Sequence, residues 1–285
     1  MKGGKALTDG VVRSVEASFE TVDDLLWQAT TGRLSQLPVL RLVRSGRIGP
    51  LVELAIARRM RPDAYRVVIV EPPIFHQIDQ ALADGEISGA GATDRAGVFP
   101  LCRFDPSPAA DNLHWDQWAK HAENAAVAAG LPRNLVVGLM GALGELQDNV
   151  FEHSGAAATG LVAYGVTNGS FEFAVADAGR GVLASLRENP EFTHLADAGA
   201  ALRAAASDGA SRHARDTGHG YGIGQLFRAL AHDAAELRFR SGDHALRLWG
   251  DAPSLTGHVE LAQKAWLNGL TMTVRCAPRP AGQRP

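Results

Sequence analysis

Between residues 37 and 85 the spacing of apolar positions changes period several times. The runs LPVLRLV and YRVVIV are short and β-branched, as strands require, whereas IGPLVELAIARRM between them repeats its apolar residues at helical spacing. IFHQIDQALADG then reads as a further helix that stops at Gly85. Strand, helix, strand, helix predicts a small α/β unit over residues 21–97, after a lead-in of weak periodicity over 1–20 that is expected to be loose. The Gly-rich and small-residue stretch GEISGAGATDRAGVFPL marks the boundary with a second unit.

The second unit, residues 105–278, opens with two helical stretches. NLHWDQWAKHAENAAVAAG closes at Gly130, and PRNLVVGLMGALGELQDNVFEHSG has Pro132 at its start and Gly155 just past its end. TGLVAYGV and FEFAVADAG alternate like strands and meet through Asn168-Gly169, a strong hairpin signal. A long polar, small-residue segment, 182–217, contains a helical stretch ADAGAALRAAAS. It is followed by the glycine-rich DTGHGYGIGQL, a helix GQLFRALAHD, two strand-like runs (AELRFRSG and ALRLWGD), and a last run LTMTVRCA. The expected fold class is therefore α/β: a two-layer sandwich with a mostly antiparallel sheet, preceded by the small α/β domain. The Pro-rich stretch 279–285 is expected to be a disordered tail.

Composition narrows the function classes. The 285 residues are 46% hydrophobic with a formal charge of −3, and their Lys and Arg are dispersed among Asp and Glu, so neither a nucleic acid nor an anionic membrane is an expected partner. Two cysteines far apart, no signal-like apolar core near the start and no long apolar run point to a soluble protein of a reducing compartment, hence a cytoplasmic one.

Three stretches carry candidate chemistry. Gly218, Gly220, Gly222 and Gly224 precede a helix, but no strand comes before them and their spacing fits neither G-x-G-x-x-G nor G-x-x-x-x-G-K-[ST]. Bare backbone there can cradle an anion at a helix N-terminus, and it also suits a hinge. In VADAGRGV, Asp177 ends an apolar strand, and Gly179 and Gly181 lead the chain away. An ionised Asp so placed can accept hydrogen bonds from an exocyclic amine while the glycines leave room for a flat ring; an ordinary Asp-Gly turn would look the same. On the helix GELQDNVFEHS, a spacing of about 100° per residue gathers Leu135, Leu139, Leu143, Leu146 and Val150 into one apolar stripe, with Glu145, Asn149 and Glu152 in a separate stripe beside it. Gly138 and Gly141 lie on or next to the polar stripe, where glycine lowers helix stability by about 1 kcal/mol relative to alanine. This suggests that something lies against that face. A carboxylate and an amide oxygen one turn apart provide a base and a hard ligand for Mg²⁺.

In this order, ELQDN, DAGRG and GYGIG resemble the E-x-x-x-N, D-x-G-x-G and G-x-G-x-G motifs of the GHKL (Bergerat-fold) ATPase superfamily. That group includes histidine kinases, anti-sigma-factor serine kinases, DNA gyrase, the mismatch-repair MutL ATPases and heat-shock chaperone ATPases. The resemblance covers about residues 105–278. It implies that ATP and Mg²⁺ are the cofactors, that Asn149 coordinates the metal and that Glu145 polarises the attacking water or hydroxyl. Asp177, with Gly179 and Gly181, would bind adenine. Gly218, Gly220, Gly222 and Gly224 would cradle the phosphates, and 182–217 would form a lid.

The sequence departs from sensor histidine kinases at Glu152, where many of them carry a basic residue near the phosphates. NVFEHS is closer to the anti-sigma-factor serine kinases, and His153 reads as a packed helix-end residue. Neither His76 nor His121 lies in a two-helix phosphoacceptor hairpin. The expectation is a cytoplasmic Mg·ATP-binding regulatory protein with a regulatory protein partner, acting as an ATPase or a kinase for serine rather than histidine, with homodimerisation left open. The alternative is a nucleotide-gated interaction module without turnover. The element order of the first unit loosely resembles the anti-sigma-antagonist (STAS) fold, which would make Ser45 a candidate phosphoacceptor; a generic sensory or dimerisation domain is the other reading.

Overall fold

The computed structural model describes residues 13–89, 91, 94–206, 230, 235–250 and 257–278. Its N-terminal unit runs β1 (Arg13–Glu16), α1 (Phe19–Thr30), β2 (Leu40–Arg44), α2 (Gly49–Met60), β3 (Val68–Val70) and α3 (Pro73–Asp84). The three strands form a parallel sheet in the order β1-β2-β3. The lead-in thus holds more structure than its weak periodicity implied, because β1 pairs with β2 and α1 begins at Phe19. Ser18 caps α1 by accepting from the Thr21 N–H at 3.2 Å, and Phe19, Val22, Leu25, Leu26 and Ala29 form its buried stripe. α3 ends as the sequence predicts, at Gly85 in the left-handed conformation.

The second unit contains β4 (Ala96–Pro100), α4 (Leu113–Ala128), α5 (Arg133–His153), β5 (Leu161–Thr167), β6 (Ser170–Asp177), α6 (Gly181–Leu186), α7 (Ala198–Ala206), β7 (Ala235–Gly250) and β8 (His258–Cys276). Its five strands pair antiparallel throughout, in the order β4-β5-β6-β8-β7. Asn168 and Gly169 both have positive φ, 51° and 74°, as a tight hairpin between β5 and β6 requires. β4 lies across the expected boundary at residue 97 and forms the edge of this sheet. The two runs around Gly242 are one continuous strand with irregular register at Ser241–His244, so β7 and β8 make a long hairpin where two shorter strands were expected.

Alternation along β6 separates two cores. Phe171, Phe173 and Val175 pack with Leu139, Leu143, Leu146 and Val150 of α5, and Ala174 and Ala176 pack on the opposite face with α1 and α2. The helices of the N-terminal unit are thus sandwiched between the small parallel sheet and the large antiparallel one. Residues 49–57 of α2 are consequently buried without interruption. Glu53 is among them, held by Arg238 Nε of β7 at 2.7 Å. Arg238 also reaches Asp23 of α1 at 2.8 Å, Arg240 contacts the same Asp23, and Lys264 Nζ closes on it at 2.8 Å. Burial opposes the ionisation of Asp23, yet these cations hold its carboxyl below the ordinary range.

Candidate functional site

Of the sequence-predicted residues, Asp177, Gly179 and Gly181 lie where the end of β6 turns beneath the C-terminal end of α5, and Glu145 and Asn149 lie earlier on that helix. Glu145 and Asn149 are half-buried on α5, beside buried Ala142, Leu146 and Val150. Asp177 continues the odd-numbered side of β6, which is the side α5 covers. The chain then turns directly under the end of α5. The Arg180 N–H donates to the Ser154 carbonyl at 3.0 Å, and Arg180 Nε donates to the His153 carbonyl at 2.7 Å. Thr159 Oγ1 accepts from the Ala178 N–H at 3.0 Å.

The spacing of this turn admits only glycine at its key positions. A Cβ on Gly179 would stand 2.2 Å from the Ser154 carbonyl oxygen, and one on Gly181, whose φ is +78°, would stand 2.7 Å from Ser241 Oγ. Sequence reading missed two residues that complete the turn from the β7–β8 side. Gly269 (φ +74°) lies so close that its Cβ would fall 2.0 Å from the Asp177 carbonyl oxygen. Ser241 donates to the Gly269 carbonyl at 2.7 Å and accepts from the Val182 N–H at 3.1 Å, pinning the start of α6 to both strands. The Asn268-Gly269 pair was a local signal for the first. Nothing local distinguished Ser241.

Asp177 is 3% exposed, and burial raises its pKa from 3.8 to about 6, against the Gly179 and Leu270 N–H groups that favour the charged form. A carboxylate has roughly four acceptor positions. With two backbone donors it retains capacity for an incoming amine. On α5, burial raises the Asp148 pKa, and the charges of Glu145 and Glu152 raise it further, so this strip carries concentrated negative potential. A Cβ on Gly141 or Gly144 would meet nothing within 4 Å, so this part of the helix surface stands clear of other described residues. A cavity of about 520 Å³ adjoins the turn, between Gly179–Gly181 and the necks of β7 and β8 at Ser241–Asp243 and Trp266–Gly269.

Gly218, Gly220, Gly222 and Gly224, most of the following helix, part of the expected lid and the tail 279–285 lie outside the described residues. The described part of 182–217 includes α6 and α7, and Gly199 of α7 fits against the His244 ring of β7. His153 is half-buried in the last turn of α5, and Glu152 is exposed. The Ser45 hydroxyl is engaged inside its own loop, donating to the Ala17 and Arg47 carbonyls at 2.9 and 2.5 Å. Among the described residues, no three His, Cys, Asp or Glu side chains are grouped as a metal cluster, and no helix is long and apolar enough to cross a membrane. No protein-family model matches the chain, and no curated protein is significantly similar to it.

Proposed function

We propose that this chain is a cytoplasmic Mg·ATP-binding regulatory protein with a Bergerat-type nucleotide site, acting on a protein partner as a kinase or switching its grip on that partner by hydrolysis. One observation supports the reading: the buried carboxylate of Asp177 ends a strand on the sheet face that α5 covers, and the turn after it packs against the C-terminal end of that helix, which carries the acid–amide pair Glu145 and Asn149. The donor set fits the cofactors. Asp177 retains acceptor capacity for the adenine amino group, and Gly179 lets the turn beside it close against Ser154. Asn149 supplies a hard oxygen within an acidic strip that attracts a cation, and Mg²⁺ typically takes only one or two protein ligands beside phosphate oxygens and water. Gly218, Gly220, Gly222 and Gly224 are assigned to the phosphates on sequence grounds.

When bound, Mg·ATP supplies a transferable phosphoryl group, so the protein's own work is positioning and charge control. Asn149 would hold the metal through its side-chain oxygen. Glu145, one turn earlier on the helix, accepts a proton from the attacking water or hydroxyl. Asp177 would accept a hydrogen bond from the adenine amino group and so orient the base. Signals from the N-terminal unit have a physical route, since Asp23 and Glu53 grip Arg238 and Arg240 while the next residue on β7, Ser241, holds the Gly181 turn.

Exposed Glu152, where a basic residue would neutralise phosphate charge, favours a second reading: a nucleotide-gated interaction module with negligible turnover. Phosphate release by the wild type and Glu145→Ala separates the two. The enzyme reading predicts a loss of about 10²-fold or more with ATP affinity retained. Equal background rates in both proteins, with ATP still bound, would leave only the module.

A further inference from the structure

At the opposite end of β6 from Asp177, and on the other face of the sheet, a small cleft of about 110 Å³ lies between the loop entering α2 and the β5–β6 hairpin. Its charged lining residues are Arg47, Arg95, Arg275 and Glu172, a formal excess of two positive charges. The three arginines are not equivalent. Arg47 is neutralised: its Nε and Nη2 lie 3.1 Å from Glu172, and its Nη1 lies 2.6 Å from Glu236. Glu172 itself is buried and accepts from the Ile48 N–H at 2.9 Å, so the N-terminus of α2 already has its anion.

Arg275, which stands opposite Glu172 in the β6–β8 register and whose charge favours that carboxylate, and Arg95 remain. Arg275 donates to Ser170 Oγ at 3.2 Å and makes no ion pair among the described residues; Arg95, on the connection into β4, has no ion pair or side-chain hydrogen bond there. Arg95 and Arg275 both line this cleft, and an anion bound between them would engage their planar donor forks. Because Ser170 accepts from Arg275, its hydroxyl hydrogen is free to donate into the same cleft, and Thr167 brings a second hydroxyl to the lining.

We propose that this cleft is a binding site for a phosphate group, free or esterified, held by Arg95 and Arg275 and separate from the proposed nucleotide site. A dianion matches the charge excess, and a tetrahedral oxyanion has enough acceptors for two guanidinium forks and the hydroxyls. Its occupancy would tie the Ser45–Ile48 loop of the N-terminal unit to both β5–β6 and β8.

The test is isothermal titration of the full-length protein with inorganic phosphate and, separately, with O-phosphoserine, at constant ionic strength. The wild type is expected to bind phosphate. Arg95→Gln should weaken binding about tenfold and the Arg95→Gln/Arg275→Gln pair should abolish it, while Arg41→Gln, a surface change outside the cleft, leaves it unaltered. Arg95 makes no structural ion pair, so its variant keeps the test valid even if the double variant loses stability. Binding of O-phosphoserine as well identifies esterified phosphate as a source; binding of inorganic phosphate alone identifies the free ion. Absence of phosphate binding by the wild type overturns the proposal, and so does binding undiminished in Arg95→Gln and the double variant, as phosphate held at the Asp177 end would give.

Discussion

Asp177 is a buried charge whose cost can be read as a pH-dependent stability. Burial raises its pKa from 3.8 to about 6, which corresponds to about 3 kcal/mol. Between those values the folded protein binds more protons than the unfolded chain, so stability falls as pH rises through the window. The full penalty is present once pH exceeds the folded-state value. Asparagine does not titrate, and its side-chain oxygen still accepts from the Gly179 and Leu270 N–H groups. Asp177→Asn is therefore expected to match the wild type near pH 4 and to exceed it by about 3 kcal/mol at pH 7.5, a melting shift of roughly 5 °C or more. Urea unfolding of both proteins across this range measures the difference directly. A gap independent of pH, or a less stable Asp177→Asn protein at pH 7.5, would refute the reasoning. A stabilising loss of this charge is what a residue retained for binding rather than for folding should show.

Other consequences follow from packing. Glu53→Gln leaves Arg238 and Arg240 buried with Asp23 as their remaining carboxylate, and breaking such a pair from one side is expected to lower unfolding free energy by about 3–5 kcal/mol in denaturant titration. Gly269→Ala places a methyl group against the Asp177 carbonyl and strains a positive φ, so it should lower stability by about 1–3 kcal/mol and weaken ATP binding in titration calorimetry. Gly141→Ala meets no described atom. It should raise stability by up to about 1 kcal/mol through helix propensity, and any accompanying loss of ATP affinity reports that the α5 face is covered in the bound state.

Much of the second unit was legible because its periodicity is unambiguous. The apolar stripe of α5, the Asn168-Gly169 turn and the alternation in β6 each reflect a local rule, and together they place Glu145, Asn149 and Asp177 on one side of the sheet. Burial on α5 extends to Ala142, which explains why Glu145 and Asn149 are half-buried rather than solvated. The missed elements lacked such signals. β1 is four residues long and recognisable only through its pairing with β2, whereas α2 was legible as a helix although its burial between two sheets was not. α1 did carry a capping serine and an apolar stripe, but its neighbours hid both. Ser241, Gly269 and the Arg238–Glu53 contact depend on residues far apart in the chain, and no local pattern encodes them.

The central claim is that α5 and the β6 turn frame a single nucleotide site. Titration calorimetry with ATP, with and without Mg²⁺, on the wild type, Asp177→Asn and Asn149→Ala tests it most directly. The account predicts Mg²⁺-assisted binding by the wild type, loss of ATP binding in folded Asp177→Asn, and loss of the Mg²⁺ dependence in Asn149→Ala. A wild type that does not bind ATP, or binding that both variants leave intact, would contradict it.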